Sequence, residues 1–210
     1  MKKLVLLSAA LACLTVTEIR AGTISMDFQV GVLADSSGTP ITDGSLFQII
    51  ASPDTTFSAP TPTSFLGNSS NDVLVWSGGF DSSTVGAGPG IADMAVNNID
   101  LSTYPIAGDY LTIRWFPTLT SSSLQPGAST SYGQYGYLND NSWIAGNAGS
   151  SITYTFLTQS TGIGSATNSL GYANNTVTPV PEPSSSAIVI ALCALAVTIH
   201  HRRRAVQAGR

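Results

Sequence analysis

Between residues 22 and 179 of this 210-residue chain the charged side chains are ten aspartates and one arginine: Asp27, Asp35, Asp43, Asp54, Asp72, Asp81, Asp93, Asp100, Asp109, Asp140 and Arg114. The same stretch holds no His, Lys, Cys or Glu. This inventory limits the chemistry open to it. A Ser-His-Asp triad, a thiolate nucleophile and a His- or Cys-ligated metal site each lack a member. What survives is chemistry by paired aspartates, in which one carboxyl group delivers a proton while its partner attacks or activates water, as in glycoside hydrolysis. Yet most of these aspartates adjoin Gly, Ser, Thr or Asn, where a short carboxylate accepts the N–H groups of its own turn. The segment is therefore expected not to be an enzyme and to need no cofactor.

Binding chemistry is the remaining route. Tyr132, Tyr135, Tyr137 and Trp143 cluster in sequence. Exposed rings of this kind stack on the C–H faces of sugars, whereas rings inside a strand pair fill a core. Tyr135, Tyr137 and Trp143 are the candidate glycan contacts. Asn139-Asp140-Asn141 offers oxygen ligands of the type calcium takes, but three in a row fall short of the usual six to eight and read as a turn. Gly162-Ile163-Gly164 has no helical pattern after it and reads as linker rather than as a dinucleotide loop. One cation against ten anions leaves residues 22–179 at −9. Such a surface repels phosphate backbones, so no nucleic-acid partner is expected.

The elements that must position these side chains are strands. Residues 23–33 alternate, with Ile24, Met26, Phe28, Val30 and Val32 on one face, a period of two that marks a strand with one buried side. Residues 44–51 and 73–76 are further apolar strands, and residues 91–101 fit a strand or a short helix. Residues 109–116 are apolar on both faces, as a central strand is. Arg114 sits inside that strand, so burial would demand a carboxylate partner. Residues 135–138 and 143–144 suggest a hairpin around residues 139–141, and residues 151–158 alternate again. Many short strands with no amphipathic helix predict an all-β fold, a single β-sandwich-like domain of jelly-roll type over residues 22–160. Residues 161–179, rich in Gly, Ser, Asn and Thr, read as a linker. Both cysteines, Cys13 and Cys193, fall outside the domain, so its core alone must hold it.

The two ends carry addresses. Met1-Lys2-Lys3 is a basic leader to an apolar run, and Ala21 before Gly22 is a cleavage point, so residues 1–21 read as a secretory signal peptide. At the other end stand Pro181-Glu182-Pro183, an uncharged apolar run over residues 184–199, and Arg202, Arg203 and Arg204. The run, about 16 residues long, spans about 24 Å as a helix, a little less than a hydrocarbon core of ~30 Å. The arginines would remain on the cytoplasmic side. The remaining residues, 205–210, form the cytoplasmic end.

Pro-Glu-Pro, an apolar span and an arginine cluster in this order over residues 180–204 resemble the PEP-CTERM sorting signal of Gram-negative bacteria. The resemblance implies that an exosortase-type membrane enzyme recognises Pro181, Glu182 and Pro183 and removes the tail. It also implies residence in the envelope, exopolysaccharide or biofilm matrix after transient anchoring in the inner membrane. A non-enzymatic exported protein is the reading this favours. A carbohydrate-binding module and an aspartate-dependent glycosidase stand as alternatives.

Overall fold

The computed structural model describes residues 22–83, 90–156 and 169–178. These are all β, with no α-helix among the described residues and a single 3₁₀ turn at Ser169–Gly171. Eight strands follow one another: β1 (Thr23–Val30), β2 (Ser45–Ser52), β3 (Val73–Gly79), β4 (Ala92–Asp100), β5 (Tyr110–Thr120), β6 (Ser131–Gly136), β7 (Ser151–Phe156) and β8 (Asn175–Thr176). They form two sheets, ordered β4-β1-β7 and β3-β2-β5-β6-β8. The signal peptide, Pro181, Glu182, Pro183, the apolar run and the arginines at 202–204 lie outside the described residues.

Alternation in β1 does what its sequence demands. Ile24, Met26, Phe28 and Val30 are buried, while Ser25, Asp27 and Gln29 point the other way. The ambiguous stretch after residue 91 is strand β4, paired antiparallel with β1. On its other side β1 pairs with β7 in parallel. That pair departs from a wholly antiparallel jelly roll. The chain runs through β2 to β6 before returning as β7, and such a long crossover, unlike a hairpin, can lay a strand parallel to its neighbour.

In the larger sheet β2 and β5 are inner strands, and every residue of β2 is buried. One face presents Phe47, Ile49, Ala51, Leu111, Ile113 and Trp115 to a core shared with Met26, Phe28, Tyr154 and Phe156 of the smaller sheet. Large side chains buried in this way contribute about 1.5–3 kcal/mol each, which is how a domain without a disulfide holds together. A second, smaller core lies on the opposite face, where Leu46, Phe116, Tyr132 and Val177 pack with Phe65 and Leu119. The irregular segment 53–72 covers part of that face, and its Phe65 ring meets Phe116 edge-on at 5.4 Å.

Two expectations need correction. Residues 169–178 are not linker: Ala173 and Val177 are buried, Tyr172 bridges to Ala34, and β8 adds to the edge of β6. Burying those two side chains ties the segment down, and the compact unit runs to Val177. Nor do residues 135–138 and 143–144 form a hairpin. β6 pairs with β5 over Gly133–Gly136, and Ile144 bridges instead to Tyr110.

Candidate functional site

Arg114 is wholly buried, and its partners differ from the carboxylate expected for it. The register places Gln48 of β2 and Gln134 of β6 directly across from it on either side. Its Nε and Nη2 donate to Gln134 Oε1 at 3.0 and 2.7 Å, Nη2 donates to Ser58 O at 2.9 Å, and Nη1 donates to Phe65 O at 2.7 Å. The Tyr132 ring lies 5.5 Å from the guanidinium carbon. All these acceptors are neutral. Asp72 contributes only as a more distant field, and its Oδ2 accepts the Ser58 N–H at 3.0 Å. Burial lowers the Arg114 pKa to about 10, against the opposing pull of Tyr132 and Asp72. A charged donor satisfied by several good acceptors can remain inside. Arg114 is thus a bolt that fastens segment 53–72 onto the sheet, with four of its five N–H donors engaged.

The aromatic candidates separate. Trp143 is 0% exposed, enclosed by Phe28, Tyr135 and Tyr154 with ring centroids at 5.7, 5.3 and 5.5 Å. No sugar can stack on it, and its place as a glycan contact is withdrawn for that reason. Tyr135 is half-buried and stacks on Phe156 at 3.6 Å with an 8° interplanar angle. Tyr137 is also half-buried and lies against Tyr110 at 4.2 Å. Beside this pair, Leu138 is 60% exposed and Ile144 37%. Tyr110 was not legible as a member of the cluster, because the β5–β6 pairing rather than sequence proximity brings it there.

Four of the ten aspartates are spent on turns. Asp35 Oδ1 accepts from Ser37 N, Ser37 Oγ and Thr39 N at 2.8, 2.7 and 2.9 Å. Asp81 and Asp100 accept from the hydroxyl and N–H of Ser83 and Ser102. Asp140 Oδ1 accepts Ser142 N at 2.9 Å and Asn139 Oδ1 accepts Gly136 N at 3.3 Å, so residues 139–141 act as a turn. These donors hold Asp35, Asp81, Asp100 and Asp140 below the usual carboxylate range. No group of three or more potential metal ligands occurs among the described residues.

Asp27 and Asp93 are different. Their carboxyl groups lie within hydrogen-bond reach of each other on the outer face of the smaller sheet. That is closer than the roughly 5–5.5 Å between the two carboxyls of a retaining glycosidase. A recess of about 270 Å³ lined by Ile41, Thr42, Asp43 and Ser82 offers one carboxylate, whose Oδ1 already accepts Ser82 N at 2.8 Å.

Set against family models, curated proteins and solved structures, the chain matches none.

Proposed function

We propose that this chain is a non-enzymatic exported protein of the cell envelope or extracellular matrix, delivered through a cleaved signal peptide and sorted through its C-terminal tail by an exosortase-type enzyme. The observation that carries this reading is the ordered tail itself: Pro181-Glu182-Pro183, the apolar run and Arg202 to Arg204. The domain is consistent with such a role. Two sheets share one core, which we read as a β-sandwich, and Asp35, Asp81, Asp100 and Asp140 cap turns. Replacing Pro181, Glu182 and Pro183 with alanine in the native host tests the assignment. Sorting through this motif predicts that the variant stays in the membrane fraction with its tail intact. Unchanged processing would oppose it.

A second reading, a carbohydrate-binding module of the exopolysaccharide matrix, draws support from the Tyr110–Tyr137 pair beside exposed Leu138. Binding to a neutral glycan that Tyr137→Ala abolishes without loss of fold would favour it, and glycan binding untouched by that change would count against it.

A further inference from the structure

We propose that Asp27 and Asp93 form a proton-operated clamp between β1 and the edge strand β4: one proton shared by the two carboxyl groups ties the strands together, and its release to solvent sets two like charges against each other.

The register builds the pair. Asp27 stands opposite Ala95 and Gln29 opposite Asp93, so Asp27 and Asp93 are diagonal neighbours on the same outer face. Across that diagonal the two carboxyl groups lie within hydrogen-bond reach of each other. The inward face of this ladder is wholly apolar, with Met26 and Phe28 opposite Val96 and Met94, and holds the backbones in place whatever the outer pair does. The groups around the pair are neutral. Thr153 Oγ1 of β7 lies 3.5 Å from Asp27 Oδ2, and Gln29 on β1 also hydrogen-bonds the Asp27 carboxylate. Ser25, Thr155 and Ala95, also neutral, share this face. The one cation of residues 22–179, Arg114, is buried in the other sheet. Among the described residues no cation on this face offsets a second negative charge, and two carboxyls this close retain a proton between them more readily than either would alone. Desolvation and the Asp93 carboxyl both raise the Asp27 pKa, and the Thr153 and Gln29 donors only partly oppose them.

The position of the pair gives its protonation a local effect. β4 is an edge strand that hydrogen-bonds only to β1 among the described residues. The register shift opposite Ile24 and Met26, with Asn98 at φ 59°, sets residues 92–96 apart as a run of their own, and this run contains Asp93. Its hold on β1 follows the charge state of the pair. The sign follows from the raised folded-state value. The clamp is fully engaged below the ordinary carboxylate pKa and is lost as pH rises through the higher folded value. Acidification therefore tightens this edge of the domain, opposite to the effect it has on the turn aspartates.

The test uses the full-length protein. Backbone amide exchange, expressed as protection factors, is followed for residues 92–96 at about pH 4.5 and about pH 7.5, with side-chain carboxyl titration of Asp27 and Asp93 by NMR. The clamp predicts a two-step titration for the pair and a several-fold loss of β4 protection at the higher pH, with β5 amides unaffected. Asp27→Asn and Asp93→Asn, nearly isosteric and uncharged, should each flatten the β4 profile. Ordinary single titrations with a flat wild-type profile would overturn the proposal. So would variants that keep the wild-type pH dependence. If millimolar calcium at the higher pH restores acid-level protection and perturbs both carboxyls, the pair is a cation site and the clamp is likewise overturned.

Discussion

Arg114 and Gln134 face each other across the β5–β6 ladder, and two donors of the arginine, Nε and Nη2, converge on the single side-chain oxygen of the glutamine. The glutamine stands where a carboxylate would be expected. It orients the guanidinium so that its remaining donors reach out of the sheet to Ser58 O and Phe65 O. The only cation of the domain is thereby consumed in holding its own chain, which leaves an accessible surface whose charges are all negative.

Removing that bolt strands three acceptors. Arg114→Ala should lower the unfolding free energy by about 3–5 kcal/mol, the scale seen when one partner of a buried charged contact is deleted. Urea denaturation of the full-length chain measures it. A loss of less than about 1 kcal/mol would mean the contacts to segment 53–72 are not made in solution.

Gly133 stands opposite Trp115 in the β5–β6 register, and a Cβ there would land on the indole ring. Trp115 cannot easily yield, since its Nε1 donates to Ala34 O at 3.2 Å and the residue is wholly buried. Gly133→Ala should therefore destabilise by about 1–3 kcal/mol, the usual cost of overpacking, read as a fall in the urea midpoint at unchanged slope. An unchanged midpoint would show that the ring has room to move.

Trp143 and Tyr137 should behave oppositely. Trp143→Ala opens a cavity under Phe28, Tyr135 and Tyr154 and should cost about 3–5 kcal/mol. Tyr137→Ala, at a half-buried site, should cost appreciably less and leave the fold intact, as thermal unfolding of the two variants would reveal. Equal losses would place Tyr137 inside the core as well.

At high pH, Tyr154 is the residue to follow. Burial pushes its pKa up to about 12, and its hydroxyl donates to Ile144 O at 2.7 Å. An acid raised on folding lends stability that is complete below its unfolded value of 10.0 and disappears as pH climbs through the folded one. Stability should fall across that interval, and Tyr154→Phe should flatten the decline. At low pH the turn aspartates act in the other sense. Their folded values lie below the ordinary 3.8, so their contribution is present above it and fades as pH drops through the folded values. Asp35→Asn should remove its share of that acid sensitivity in a urea series across pH.

Period-two alternation made β1, β5 and β7 legible, because each has one face in water or against a different layer from the other. The turn role of Asp35 and Asp140 was legible for a similar reason, since Asx geometry is local and needs only the next few residues. What escaped was everything that depends on register. Gln134 as the partner of Arg114, Tyr110 beside Tyr137, and Asp27 beside Asp93 are pairings between distant segments, and local periodicity does not reveal which strands become neighbours. Residues 169–178 escaped because Ala173 and Val177 sit in a polar stretch whose composition resembles a linker. Val177 is buried against Leu46, Phe116 and Tyr132 of β2, β5 and β6, and Ala173 joins the main core beside Ala34, neither from a pattern of its own.

Intact mass combined with fractionation of the endogenous protein from its native host tests the central claim most directly. Export and sorting predict a species that starts at or near Gly22, lacks the segment beyond Pro181-Glu182-Pro183, and is recovered outside the inner membrane. A species that retains the apolar run and Arg202 to Arg204 in the inner-membrane fraction would contradict sorting by that motif.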